Sequence, residues 1–80
     1  MADANPDFEA EVKVAYPTMV RFATVLCWSS ADVEEMVQET VLRAFRSYPS
    51  FRGEATFLTW ACAILARVAA DANRRRARAE

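Results

Sequence analysis

The 80-residue chain contains one glycine, three prolines and no histidine. Little glycine and proline leaves few positions for tight turns, whereas alanine, leucine, glutamate and arginine are abundant and favour helix. The hydrophobic fraction of 54% is sufficient for one compact core. The composition therefore predicts a single all-α domain, close to the lower size limit for folding without cross-links.

Cysteine is also scarce, because the chain has only Cys27 and Cys62, both in apolar surroundings. Without histidine, two thiols do not supply the ligands of a zinc site, so no metal is expected. We expect two small buried thiols in a reducing compartment. An apolar run of about 20 residues, which a membrane span requires, is absent, and the acidic amino terminus is unlike a signal peptide. These features predict a cytoplasmic protein with no membrane contact.

The sequence has no signature of catalysis. It contains no histidine, no glycine-rich phosphate loop and no acid pair set in an apparent pocket. We therefore expect neither enzymatic activity nor a cofactor nor a small-molecule substrate.

Charge is divided unequally along the chain. Residues 1–39 carry eight acids and two bases, a net charge of −6, whereas residues 40–80 carry eight arginines and three acids, a net charge of +5. The total of −1 gives no indication of a nucleic-acid partner. The division itself predicts two faces with different partners.

The first predicted helix begins at Asn5 and Pro6, with acids in its first turn. Its apolar residues recur every three or four positions and keep their phase across Pro17, where the missing amide donor predicts a kink. The stripe that they form is Phe8, Val12, Ala15, Tyr16, Met19, Phe22, Ala23 and Leu26.

The second predicted helix starts at a capping box, with Ser29 as the cap and Asp32 reaching back, and ends near Ser47. Its buried stripe is Val33, Met36, Val37, Thr40, Val41, Ala44, Phe45 and Tyr48. The opposite face is acidic in its first half and basic in its second, which suits the helix dipole and is common for a solvated face. Leu42 interrupts this charged face, and such an exposed leucine resembles the centre of a partner surface.

An aromatic segment, residues 48–60, connects the second and third helices. Pro49 ends one helix, Gly53 permits a positive φ, and the next helix begins at about Ala55 or Thr56. A π-face, a guanidinium and a flexible backbone together suit the stacking of unpaired bases. Taken alone, however, the aromatic group is more typical of side chains that close the end of a helical core.

The third predicted helix has a wide apolar face and a second face of small residues with arginines at intervals. The apolar face is Phe57, Leu58, Ala61, Cys62, Ile64, Leu65, Val68 and Ala69, and the second face is Thr59, Ala63, Ala66, Arg67, Ala70 and Arg74. Small residues let a partner approach the helix and arginines can meet phosphates, although alanine also simply favours surface helix. The basic run from Arg74 to Arg78 is either a solvated helix end or a phosphate clamp.

Three short motifs occur in a characteristic order and are followed by the basic run after Asp71: Val37-Gln38-Glu39-Thr40, Phe51-Arg52-Gly53-Glu54 and Phe57-Leu58-Thr59-Trp60. Together they resemble region 2 of the extracytoplasmic-function sigma factors of bacterial RNA polymerase. The similarity covers the chain from about Phe8 to Arg78. It implies that residues 1–80 form a compact three-helix, all-α domain with an aromatic loop between helices two and three, acting in transcription initiation.

The resemblance implies two binding surfaces and two kinds of macromolecular partner. The second helix would dock on the clamp helices of the largest polymerase subunit through Glu35, Gln38, Glu39 and Leu42. The loop and third helix would recognise and help melt the promoter −10 element by capturing an unpaired base of the non-template strand. The matching residues are Phe51, Arg52, Phe57, Thr59, Trp60, Ala63 and Arg67, with phosphate contacts added by Arg74 and Arg75. An anti-sigma factor is a further expected partner.

The chain departs from the family at Ala63 and Arg67, where family members often carry polar or basic residues and asparagine, respectively. These positions help to choose the captured base. A working sigma factor of this family also has a region 4 that reads the −35 element, and region 4 is absent from this chain. Because the arginine-rich stretch falls where the linker would begin, we expect an isolated domain or a truncated form.

Two alternatives remain. The chain could be a helical protein-interaction module that binds polymerase or a regulatory partner through the acidic helix without DNA contact, although the aromatic loop and the arginine run argue against this. A helix-turn-helix reader of duplex DNA is the second alternative, but the helix connection lacks a tight turn and the third helix is not a polar recognition helix.

Overall fold

A computed structural model describes residues 6–27 and 29–79 of the chain. Three α-helices account for most of these residues: α1 is Pro6–Leu26, α2 is Val33–Ser47 and α3 is Phe57–Ala79. Short 3₁₀ turns, Ser30–Asp32 and Tyr48–Ser50, precede and follow α2. No strand occurs in the described ranges, and the all-α, three-helix prediction is confirmed. None of the helices described is long and apolar enough to cross a membrane.

The helices pack with α1 and α3 parallel and α2 antiparallel to both. Phe8 and Phe57, near the starts of α1 and α3, have ring centroids 5.8 Å apart. Tyr48, directly after α2, contacts both rings at centroid distances of 5.1 and 6.2 Å. At the other end of the bundle, Asn73 Nδ2 of α3 donates to the Leu26 carbonyl oxygen at 3.4 Å. The aromatic loop and the arginine-rich end of α3 therefore lie at opposite ends of the bundle.

The core consists of side chains from all three predicted apolar stripes. The apolar residues that are 6% exposed or less are Phe8, Ala15, Met19, Ala23, Met36, Val37, Ala44, Phe57, Ala61, Leu65, Val68 and Ala69. The other members of the stripes are buried or half-buried, with two exceptions: Tyr16 is 39% exposed and Phe45 is 38% exposed. Each of these rings follows a buried alanine, and one step along a helix turns the side chain by about 100°, to the edge of the core.

Helix α1 begins at Pro6, in agreement with the predicted start. The helix continues through Pro17, whose nitrogen has no hydrogen to donate to the preceding turn. The kink expected there stays a prediction, and the predicted cap Asn5 lies outside the described residues.

The capping box predicted before α2 is wrong in its second half. Ser29 does cap, but it caps the 3₁₀ turn, where its Oγ accepts from the Ala31 amide at 3.2 Å. The side chain of Asp32 makes no capping hydrogen bond, and its Oδ2 lies 3.5 Å from Arg76 Nη1 of α3. The tertiary ion pair therefore directs this carboxylate toward the arginine-rich end of α3.

The start of α3 is fixed by a threonine that the sequence analysis did not identify as a cap. Thr56 Oγ1 accepts from the Thr59 amide at 3.1 Å and donates to Thr59 Oγ1 at 3.0 Å, so α3 begins at Phe57. In the preceding loop Gly53 has a φ of 75°, which confirms the predicted positive φ. A Cβ at this position would meet no atom within 4 Å, so the backbone angle alone requires glycine.

The two cysteines are free and half-buried, so the expectation of buried thiols is only partly correct. Cys27 Sγ lies 3.4 Å from Met36 Sδ. Burial raises the pKa of both thiols, and the negative charge of Asp32 adds to this effect on the pKa of Cys27. Both thiols therefore react more slowly as nucleophiles than an exposed cysteine.

We expect the Asn73→Ala substitution to lower the free energy of unfolding by about 1 kcal/mol. The reason is that the Leu26 carbonyl at the end of α1 would lose its donor from α3. Denaturant unfolding measures the change. Thr24→Ala is the matched control, because the exposed Thr24 hydroxyl donates within α1, to the Val20 oxygen at 2.8 Å, and has no bond to another helix in the part of the chain that the structure describes. Equal losses in the two variants would contradict a tertiary role for Asn73.

Candidate protein-binding and nucleic-acid interfaces

The first motif, residues 37–40, is divided between the core and the surface of α2. Val37 and Thr40 are fully buried, and the Thr40 hydroxyl donates to the Met36 carbonyl oxygen at 2.9 Å. The two residues between them point outward, and residues three or four positions apart share a helix face. The predicted protein-binding residues consequently lie on one side of α2: Glu35, Gln38, Glu39 and Leu42.

These four residues form one wall of a groove of about 520 Å³ between α2 and α3, which we call the α2–α3 groove. The opposite wall includes Val68, Ala72 and Arg75 of α3. Leu42, 51% exposed, follows Glu35 and Glu39 along α2 and provides an apolar surface on the same wall. The α3 wall could not be predicted from the sequence, because the spacing of Val68 and Ala72 shows only that they share a helix face, and not which helix they oppose.

Arg75 was predicted to contact phosphates, yet the structure places it beside the α2–α3 groove. Arg74 directly precedes Arg75 in α3. Because one step along a helix turns the side chain by about 100°, the two arginines lie on different surfaces. No ion pair joins Arg75 to another residue within the described ranges. Its predicted contact with nucleic acid stays a prediction. In the groove, the Arg75 guanidinium could instead contact a protein partner.

Ion pairs connect α2 to the outer part of α3. Arg43 Nε lies 2.9 Å from Glu39 Oε2, and Arg43 Nη1 lies 3.6 Å from Asp71 Oδ2. The other oxygen of Asp71 pairs with Arg74 Nη2. The sequence shows these charges but not that they meet, since Arg43 and Asp71 are on different helices.

The aromatic end of the bundle is a continuous cluster, formed by the rings of Phe8, Phe45, Tyr48, Phe51, Phe57 and Trp60. Phe51 is half-buried, stacks on Tyr48 at a centroid distance of 6.0 Å, and lies 4.8 Å from the Trp60 ring. Partial burial, together with the negative charges of Glu11 and Asp7, raises the pKa of Tyr48. Each ring of the loop therefore packs against other rings of the cluster.

Phe57 occupies a different place from the other predicted DNA-binding aromatics. It is 6% exposed, and its ring contacts those of Phe51 and Trp60 at 6.1 and 5.7 Å. A ring enclosed in this way has no free face for a base. Direct strand contact by Phe57 stays a prediction, and what its position shows is that the ring packs beneath Phe51 and Trp60.

A pocket of about 310 Å³ opens between the loop and the start of α3, and we call it the loop pocket. Its lining includes three residues predicted to bind DNA, Phe51, Arg52 and Trp60. The other three lining residues were not predicted from the sequence to form part of a site; they are Ser50, Glu54 and Ala55. Glu54 belongs to the second motif, and its carboxylate can accept hydrogen bonds from a base amino group. The pocket thus combines aromatic rings, a cation and a hydrogen-bond acceptor.

The remaining predicted DNA-binding residues follow the outside of α3 and do not join the loop pocket. Thr59, Ala63, Arg67 and Arg74 are all exposed. A helix rises about 1.5 Å per residue, so Thr59 and Arg74 are separated by about 22 Å along the axis. A ligand that touched all of them would have to be extended along α3.

Comparison with known proteins gives a family match over most of the chain. The family model described as Sigma-70 region 2 matches residues 12–79. The chain is similar to an ECF RNA polymerase sigma-E factor of Haemophilus influenzae, with 50% identity over 32 residues, which is 40% of this chain and 17% of the relative. It is also similar to the ECF RNA polymerase sigma-E factor of Escherichia coli strain K12, with 48% identity over 31 residues, 39% of this chain and 16% of the relative. These alignments therefore span less than a fifth of the relatives' length, and no solved structure matches the chain.

Proposed function

The chain belongs to the sigma-70 region 2 family, and on this premise we propose that it is a non-enzymatic transcription-initiation domain that binds RNA polymerase and promoter DNA. Its α2–α3 groove receives the clamp helices of the largest polymerase subunit. Its loop pocket captures an unpaired base of the non-template strand and so helps to melt the −10 element. The observation that carries the proposal is the loop pocket, in which Phe51, Arg52 and Trp60 lie beside an open cavity.

The α2–α3 groove suits a helical partner with basic and apolar side chains. Glu35 and Glu39 supply acidic rims that favour encounter with a basic partner, and Leu42 supplies an apolar contact at the centre. Val68 and Ala72 on the α3 wall extend this apolar surface. An anti-sigma factor is the further partner that we propose, because a protein seated in the same groove would exclude polymerase.

The loop pocket suits an unpaired base because a base requires a π-surface, hydrogen-bonding groups and a neighbouring cation for its phosphate. Phe51 and Trp60 supply rings, Glu54 supplies an acceptor and Arg52 a guanidinium. Its volume of about 310 Å³ is at the lower end of the range for small-ligand sites. A flipped base is flat and compact, and entry from single-stranded DNA avoids the cost of unpairing a duplex.

The outer face of α3 extends this site along the strand. Thr59 and Ala63 follow the loop pocket, and Arg67 lies on the same helix face about two turns beyond Trp60. We assign to Ala63 and Arg67 an influence on the preferred sequence, and to Arg74 and Arg75 a sequence-independent attraction for phosphates. The domain has a net charge of −1, so strand binding by the isolated domain is weak and is best measured at low ionic strength.

The test of the loop pocket is the Phe51→Ala substitution, which we expect to weaken the binding of single-stranded −10 DNA by about 1–3 kcal/mol. The physical reason is the loss of one stacking surface. Fluorescence anisotropy with a labelled non-template strand measures the affinity, and a thermal melt verifies that the variant is folded.

Phe45→Ala is the matched control, since Phe45 belongs to the same aromatic cluster, is 38% exposed and does not line the loop pocket. Equal strand affinities for the two variants would refute the pocket assignment. A wild-type domain that binds the clamp helices but no single-stranded DNA would favour the alternative of a protein-interaction module.

A further inference from the structure

Asp71 lies between arginines of two helices, and each of its carboxylate oxygens faces a different guanidinium. Oδ2 is 3.6 Å from Arg43 Nη1 of α2, and Oδ1 pairs with Arg74 Nη2 of α3. Arg43 is also shared, because its Nε lies 2.9 Å from Glu39 Oε2. Four alternating charges, Glu39, Arg43, Asp71 and Arg74, thus form a relay from the α2–α3 groove to the outer face of α3.

The position of Arg74 makes Asp71 a competitor for phosphate. The Arg74 side chain is 67% exposed, so a strand lying along α3 can reach it. Asp71 contacts Nη2 of this guanidinium, so a phosphate that binds the same edge competes with the carboxylate for these hydrogens, and the carboxylate charge repels a phosphate at the other nitrogens. Contacts between Arg74 and a phosphate are therefore weaker while Asp71 is paired with this guanidinium.

We propose that the ion pair with Asp71 weakens the binding of Arg74 to nucleic-acid phosphates. We further propose that this ion pair itself weakens when a cationic side chain of a protein partner pairs with the carboxylate of Glu39. The inference rests on the proposed function, because it assumes that a strand lies along α3 and that a partner docks on α2. Asp71 and Arg43 are then positioning residues, which couple binding in the α2–α3 groove to binding on the outer face of α3.

The direction of the coupling follows from the distances. Arg43 is closer to Glu39, at 2.9 Å, than to Asp71, at 3.6 Å. When Glu39 is occupied or neutralised, Arg43 can close on Asp71 and compensate more of its charge, and Asp71 then attracts Arg74 less strongly. Because linkage is reciprocal, a strand that binds Arg74 raises the affinity for the partner at Glu39 by the same factor.

The size of the effect is limited by solvent. The four side chains are between 36% and 67% exposed, so water and salt screen each pair. Exposed ion pairs of this kind change equilibria by about 1.5- to 5-fold. The coupling is therefore largest at low ionic strength.

The experiment measures the affinity of the whole chain for fluorescein-labelled oligo(dT), whose uniform sequence removes base preference. We expect Asp71→Asn to bind about two- to five-fold more tightly than the control Glu9→Gln, which removes one negative charge from an exposed position of α1. A gained phosphate contact should also steepen the dependence of log affinity on log salt by about 0.7. The gain from Asp71→Asn should disappear in an Arg74→Ala background.

Glu39→Gln tests the relay without altering Asp71, and it remains informative if Asp71→Asn fails to fold. We expect it to raise oligo(dT) affinity more than Glu9→Gln does, and to add nothing in an Asp71→Asn background. Strand binding that is intact in the wild type but no tighter in Asp71→Asn or Glu39→Gln than in Glu9→Gln overturns the relay alone. Absence of strand binding from the wild type and all variants overturns the proposed function and the relay together.

Discussion

The Phe57→Ala variant is expected to lose about 3–5 kcal/mol of unfolding free energy. Phe57 is 6% exposed, and its ring contacts the rings of Phe8, Tyr48, Phe51 and Trp60. Its removal would leave a cavity at the point where the starts of α1 and α3 meet the end of α2. A domain of this size has about 4–12 kcal/mol of stability in total, so the loss brings it close to unfolding.

Denaturant unfolding followed by circular dichroism measures this loss, and Phe45→Ala is again the matched control. Phe45 also contacts the Phe8 ring, at a centroid distance of 5.4 Å, but it is 38% exposed, and we expect a loss of about 1 kcal/mol. Similar losses in both variants would show that Phe57 is not the central ring of the cluster. If Phe57→Ala stayed fully stable and lost only strand binding, the predicted direct contact of Phe57 with the strand would be supported.

The Leu42→Ala variant is expected to weaken binding to the clamp helices by about 2 kcal/mol, or about 30-fold. Leu42 is 51% exposed and lies in the α2–α3 groove between polar residues, the position in which an apolar contact contributes most to residence time. Its exposure means that stability should change by no more than about 0.5 kcal/mol. Calorimetric titration with a fragment of the largest polymerase subunit that carries the clamp helices measures the affinity.

Val25→Ala is the control for this experiment, because Val25 is an aliphatic residue on α1 that is 79% exposed and does not line the groove. We expect Val25→Ala to bind the fragment like the wild type. Undiminished binding by a folded variant carrying both Gln38→Ala and Leu42→Ala would refute the assignment of this face to polymerase.

The helices and their buried faces could be predicted from sequence because both follow from local periodicity. Met36, Val37, Thr40 and Ala44 recur at helical spacing and are buried, and Leu42, which breaks the pattern, is exposed. The pattern predicts burial less well for residues at the edge of a stripe, such as Phe45, which is 38% exposed. Caps are predicted less well, because a serine or aspartate has several partners within reach.

The sequence by itself determined the three helices, the turn at Gly53, the exposed surface around Leu42 and the aromatic loop, since each depends on residues a few positions apart. Only the tertiary structure decided which rings surround Phe57, that Arg75 lines the α2–α3 groove, and that Asp71 lies between Arg43 and Arg74. The same holds for Asn73, whose partner Leu26 is 47 positions away. Local patterns specify which face of a helix is apolar, but the distances between charged and polar groups on different helices are set only when the helices pack against one another.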